Sequence, residues 1–236
     1  MSSSTGITNA DTSSAVAPWW HTVIALLPIG VGSVASAYQH GLPNLDLPGM
    51  SSRLSCYITV LAEEWFVVLL IWLALRRRGI SLGSLISGRW NTAGAFLRDL
   101  GLGVAFIVVT VPVIGVLAHF LSHDANSALS GMTPKTVPEL IVYLALAGTG
   151  GFCEELIFRG YLMRQFSAWT GNGLVAVGLQ GVVFGLAHGY YLRTIPVVML
   201  LGWCLGLLAY WRKSLRPGML AHFLQDVLGG LVGFFS

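Results

Sequence analysis

Charge is what this chain has least of. Lys, Arg, Asp and Glu make up 10% of its 236 residues, against about 25% in an ordinary soluble domain. With 55% hydrophobic residues and a mean hydropathy of +0.74, the deficit excludes a fold whose surface faces mostly water. Lysine occurs twice, as Lys135 and Lys213. Both fall between apolar runs, so a seven-helix retinal protein, which needs a lysine in mid-membrane, is excluded. Cysteine is scarce as well. Cys56, Cys153 and Cys204 are odd in number and form no CxxC pair, which implies neither a disulfide framework nor a zinc ribbon. Cys153, beside two acids, reads as a small buried hydrophobe. Residues 1–18 contain no Lys or Arg and are rich in Ser, Thr and Ala. The positive n-region of a secretory signal is missing, and a disordered cytoplasmic tail is expected.

Long apolar runs are what the chain does have. Seven stand out, at roughly 19–38, 54–75, 100–121, 137–158, 173–189, 195–211 and 217–235. A membrane-crossing helix needs about 20 apolar residues and at least roughly 17. Backbone groups in lipid must be paired within their own segment, and barrel strands need only about 10 residues. The expected fold is therefore an all-α membrane protein, a polytopic bundle of about seven transmembrane helices. It forms a single domain over 19–236. Residues 80–98 mix apolar side chains with arginines and predict a cytoplasmic interfacial helix. The stretches 39–53 and 122–136 read as external loops.

The net charge of +3 matters less than its placement. Arg76, Arg77, Arg78, Arg89 and Arg98 cluster after the second run, and Arg212, Lys213 and Arg216 before the last. By the positive-inside rule these lie in the cytoplasm, so the N-terminus is cytoplasmic and the C-terminus outside. Short loops favour a bacterial plasma membrane. The basic clusters are topology signals, and no nucleic-acid partner is expected. Gly181, Gly185 and Gly189, and again Gly202 and Gly206, recur at every fourth position, a spacing that lets helices approach closely in lipid.

An ionisable side chain at bilayer depth costs about 2.5–3.5 kcal/mol on insertion scales, so each needs a partner or a purpose. Glu154, Glu155 and Arg159 stand in the run GGFCEELIFR. Glu155 and Arg159 are four apart on a helix and can pair. Glu154 points about 100° away and stays free to act as a base. In FGLAH, Phe184 and His188 share a helix face, as do His222 and Asp226 in HFLQD. In the last of these the carboxylate can hold the imidazole in one tautomer. Glu63 and Glu64 repeat the acid pair without a nearby arginine and read as a decoy or a support. Three motifs on three helices thus offer carboxylates and imidazoles for activating water.

Helix arithmetic tests whether they can meet. Glu154 precedes Thr170 by 16 residues and His188 follows Gly171 by 17. A turn near Thr170–Gly171 would leave both about 25 Å from it at ~1.5 Å per residue. His222 lies only five residues beyond Pro217, about 8 Å into its helix by the same rise. Convergence therefore requires the hairpin at 170–171 to project into the cytoplasm, or one helix to be broken or steeply tilted; projection is the expectation, with Arg164, Gln165 and Asn172 near the hairpin's tip.

The combination EExxxR, FxxxH and HxxxD, each on its own membrane helix, resembles the CPBP family of intramembrane proteases. That family includes the type II CAAX prenyl endopeptidases, or Ras-converting enzymes, and bacteriocin-processing relatives. The resemblance covers roughly 137–235, the protease-like core. It implies an intramembrane endopeptidase of the CAAX-protease type that hydrolyses a peptide bond by glutamate-activated water. Carried over by motif, Glu154 is the general base, His188 shares the catalytic water, and His222 and Asp226 stabilise the oxyanion. Glu155, Arg159 and Phe184 support them. The prenyl endopeptidases have Asn where this chain has Asp226, and an ionised Asp accepts hydrogen bonds without donating any. Its remaining uses are to orient His222 or to help bind a metal.

Members of the family are often described as metalloproteases. Here His188, His222 and Glu154 would be the ligands of a divalent cation such as zinc, with an open water position. The chain lacks HExxH, and Glu with His can activate water alone, so no tightly bound metal is expected. GxSG and GxGD are also missing, against serine and aspartyl intramembrane proteases. The expected partners are the lipid bilayer and a membrane-associated substrate, whether a prenylated protein or a leader peptide. Two alternatives stay open: a non-catalytic scaffold or immunity protein of the same fold, and a proton-coupled transporter. A transporter would more often show paired repeats in both halves.

Overall fold

The computed structural model describes residues 15–39, 47–121, 132–189 and 194–236. Residues 1–14 of the expected tail, 40–46 of the first expected loop and 122–131 of the second lie outside them. Every element assigned is helical. In chain order they are α1 (Trp19–Gln39), α2 (Ser52–Arg77), α3 (Leu82–Ile86), α4 (Ala93–Leu121), α5 (Val137–Glu154), a π-helical segment (Glu155–Leu162), α6 (Met163–Thr170), α7 (Gly173–Ala187), α8 (Ile195–Arg212) and α9 (Arg216–Phe235).

Side chains already in the sequence set the boundaries. Ser51 caps α2 by accepting the Leu54 N–H at 3.3 Å, and Asn172 caps α7 by accepting those of Leu174 and Val175. Pro138, Pro196 and Pro217 stand in the first turns of α5, α8 and α9, where a missing N–H costs nothing. Gly171, at φ +66°, ends α6 in the left-handed conformation that favours glycine. The turn therefore falls where the sequence placed it.

Six helical stretches are long and apolar enough to cross a membrane, and α7, at 15 residues, is shorter. Together they account for the seven expected runs. Contacts follow a circuit: α1 packs on α2, α2 on α5, α5 on α9, α9 on α4, α4 on α8, α8 on α7, and α7 returns to α1. The lipid-facing sides carry exposed valines such as Val34, Val108 and Val109. Between α7 and α8 the glycines act as their spacing predicted. A Cβ on Gly181 would overlap the Trp203 ring, and one on Gly202 would sit 3.0 Å from the Gly181 Cα.

Two expectations change. The interfacial helix predicted over 80–98 is only the short α3, and α4 begins at Ala93. The reason is Asp99, which is buried and accepts a hydrogen bond from Trp90 Nε1 at 3.0 Å while pairing with Arg98 and Arg212. Those bonds hold the first turns of α4 against the bundle. The tail expected over 1–18 also stops short, because Val16 and Ala17 are buried in the core. Gln165 accepts from the Ala17 N–H at 3.1 Å and donates to the Ala17 carbonyl at 2.9 Å.

The continuous rod from Val137 to Thr170 is 34 residues long. At ~1.5 Å per residue that is about 50 Å, well beyond a hydrocarbon core of about 30 Å. Its far end meets the arginine-rich side of the bundle, where Arg164 donates to the Ser84 carbonyl at 2.6 Å. The rod is therefore longer than the hydrocarbon core is thick, the length that a projecting hairpin needs. Glu154 lies 17 residues from Val137, about 26 Å along the rod.

Candidate active site

The site forms where α5 gives way to the π-helical segment. Such segments are rare and concentrate at functional positions; nothing in the residue pattern announces this one. The residues at the junction are Glu154 and Glu155. Glu155 is fully buried and its Oε1 accepts from Arg159 Nη1 at 2.9 Å, with neither side chain exposed. The pairing expected from the four-residue spacing is therefore present. Arg159 also donates to the Gly202 carbonyl at 3.4 Å, and its guanidinium sits 4.1 Å from the centre of the Phe184 ring. That ring in turn packs against His188 at 4.7 Å between centroids. Phe184 is thus the apolar wall between the buried arginine and the imidazole.

Glu154 is turned the other way, toward both histidines. His188 Nε2 is 3.9 Å from its Oε1, and His222 Nε2 is 3.7 Å from its Oε2. Each imidazole is held from behind. His188 Nδ1 bonds the Phe184 carbonyl at 2.8 Å, which requires the proton on Nδ1. His222 Nδ1 bonds Glu155 Oε1 at 3.1 Å. Both rings therefore turn Nε2 toward one carboxylate, from two helices that approach α5 on different sides.

Asp226 differs from its expected use. Its Oδ2 stands 3.7 Å from His222 Nε2, beyond hydrogen-bonding distance, and its side chain is the most exposed of the group at 34%. The carboxylate that orients His222 is Glu155, one oxygen of which serves both Arg159 and the imidazole. Proximity in sequence favoured Asp226; burial and aim favour Glu155.

Glu64 is the residue that reading by motif undervalued. It is buried on α2, and α2 packs against α5, the helix that carries Glu154. A Cβ placed on Gly150 would lie 3.8 Å from Glu64 Oε1 and 3.7 Å from Asp226 Oδ2, so both carboxyl groups approach α5 one turn before Glu154. Glu63 points elsewhere, against Gly32 of α1. The signal that could have separated them was only that one of two adjacent acids on a helix packed on α5 must face inward.

Glu154, His188 and His222 are donor types that suit zinc, and imidazoles held from behind are usual at metal sites. The two histidines approach different oxygens of Glu154, and among the described residues no group of three or more His, Cys, Asp or Glu is gathered to hold a metal ion. The arrangement fits two imidazoles flanking a carboxylate, with Oε2 of Glu154 buried and lacking a hydrogen-bond partner among the described residues. It can hold a water and take its proton.

Residues 136–228 match the family model described as Type II CAAX prenyl endopeptidase Rce1-like. The chain is 27% identical over 145 residues to the uncharacterized protein YpbD of Bacillus subtilis, covering 59% of this chain and 70% of that one. It is 25% identical over 134 residues to the membrane-embedded CAAX protease MroQ of Staphylococcus aureus, covering 53% of each. No solved structure matches the chain. The matched region contains all three motifs and, with them, Glu154, Glu155, Arg159, Phe184, His188, His222 and Asp226. Over 136–228, with these residues in this order, this integral multi-pass membrane protein is similar to the Rce1-like type II CAAX prenyl endopeptidases.

Proposed function

We propose that the protein is an intramembrane endopeptidase that cleaves a membrane-associated peptide or protein with water activated by Glu154. The observation that carries the reading is the convergence of two back-anchored imidazoles on that one carboxylate. In the proposed reaction a water between Glu154 and His188 gives its proton to the Glu154 carboxylate as its oxygen attacks the scissile carbonyl carbon. The carbonyl oxygen becomes an oxyanion. His222, anchored through Nδ1 to a carboxylate, donates from Nε2 to it when that nitrogen carries the second proton. Glu154 then returns the proton to the leaving amine as the C–N bond breaks. Asp226, an acceptor when ionised, lines the open side of the hollow.

The likeness to a CAAX protease supports the reaction class and leaves the substrate open, prenylated or not. We place the arginine-rich end of the bundle in the cytoplasm of a bacterial plasma membrane, following the positive-inside rule. The test compares membrane-peptide termini in cells carrying the parent chain, Glu154→Gln or His188→Ala at equal membrane levels. The expected result is one or more precursors accumulating in both variants. Identical termini in all three would leave a non-catalytic member of the family as the better reading.

A further inference from the structure

Of the residues around Glu154, His188 has the least regular backbone. α7 ends at Ala187, and His188 follows as its C-cap, at φ −98° and ψ 34°. The last carbonyls of a helix have no partner within the helix, and a side chain just past them inherits whatever freedom the turn has. The reading proposed above needs Nε2 of this ring held against Glu154.

A hydroxyl from the other end of the chain holds the turn. Ser33 of α1 donates from Oγ to the Leu186 carbonyl at 2.5 Å and accepts the Gly189 N–H at 3.2 Å. The two bonds bracket His188, one two residues before it and one immediately after. The site is shaped for the contact. Gly189 is buried, and a Cβ there would collide with Ser33 Oγ. One residue earlier on α1, Gly32 gives room to the Glu63 carboxylate of α2, which would lie 3.1 Å from a Cβ at that position. A side chain at either glycine would push α1 away from α2 or from the turn.

We infer that Ser33 is a positioning residue for His188, so that the first helix, outside the region matching the family, sets the geometry of the reacting centre. The inference rests on the proposed reaction for its catalytic consequence but not for its structural one. A displacement of about 1 Å at a catalytic group can cost about a hundred-fold in rate. Losing the Ser33 anchor, with Nδ1 still bound to the Phe184 carbonyl, should cost about ten-fold.

The experiment uses the full chain in lipid bilayers, with three substitutions. Ser33→Ala removes both bonds, and Ser33→Thr keeps a hydroxyl. Ser36→Ala is the control, because its hydroxyl bonds the Gly32 carbonyl within α1 at 2.7 Å. Two readouts are taken: NMR of the ring carbons of labelled His188, and cleavage of the precursor that accumulates with Glu154→Gln. Ser33→Ala should shift or broaden the His188 signal and lower kcat about ten-fold at unchanged KM. Ser33→Thr should restore both, and Ser36→Ala should change neither. An unmoved His188 signal in Ser33→Ala overturns the inference, whatever happens to cleavage. If no precursor accumulates with Glu154→Gln, the protease reading falls, and the NMR comparison alone decides the positioning role.

Discussion

Removing Arg159 should destabilise the bundle more than any single change at the reacting groups themselves. Its guanidinium is buried, 2.9 Å from Glu155 Oε1. At an effective dielectric constant of about 20 the attraction across that distance is about 6 kcal/mol. Most of it offsets the cost of taking both charges out of water, so the pair adds little net stability. Breaking it is another matter, because Arg159→Met leaves Glu155 charged and without its cation. That costs about 3–5 kcal/mol, a large share of a typical 5–15 kcal/mol total. Glu155→Gln should be costly for the converse reason. The double substitution removes both charges and should recover at least about 2 kcal/mol of the summed losses. Denaturant unfolding of the four forms in mixed micelles measures this directly, with Glu154→Gln as a site variant that leaves the pair intact. The double form should regain stability but not activity, since a neutral amide holds His222 Nδ1 less firmly than a carboxylate. Arg159→Met unfolding within about 0.5 kcal/mol of the parent, or strictly additive losses in the double variant, would refute the pairing as the organising contact.

Other outcomes follow from the same geometry. Glu64→Leu should lower turnover at least ten-fold while Glu64→Gln, which keeps a polar side chain of the same shape, loses less; equal activity in both, measured on one precursor, would return Glu64 to a filler role. Gly151 faces the backbone of α9, where a Cβ would lie 2.9 Å from the Phe223 nitrogen. Gly151→Leu should push that helix away, costing about 1–3 kcal/mol in unfolding measurements and reducing cleavage, and a fully active variant would contradict the close approach. Cleavage should survive a strong chelator, with no stoichiometric zinc by elemental analysis; loss of activity restored by added zinc would show that the histidines and Glu154 draw together around a cation.

Local geometry explains which parts of the site could be read from the chain. A pair four residues apart on one helix meets wherever the helix goes, so Glu155 with Arg159 and Phe184 with His188 were legible, and the glycine spacing announced the contact of α7 with α8. The turn at Gly171 was legible because glycine is needed for its positive φ. Contacts across the bundle were not. His222 gives its Nδ1 hydrogen bond to Glu155, 67 residues away, although Asp226 lay closer in sequence. Glu64 and Ser33 reach the site from α2 and α1, and their roles depend on how those helices are rotated, which no short motif encodes. Asp99 holds the start of α4 by bonds to Trp90 and Arg212, a fact of packing that moved a helix boundary.

The shortness of α7 bears on how the chain is made. Fifteen residues span about 23 Å, less than the roughly 30 Å of hydrocarbon to be crossed. Such a segment gains too little from lipid to lodge there unaided during synthesis. Its natural companion is α8, against which its glycines press, so biogenesis should treat the two as one insertion unit. Glycine-to-leucine changes along that seam would then show first as failed insertion and degradation of the newly made chain, before any catalytic defect could be seen.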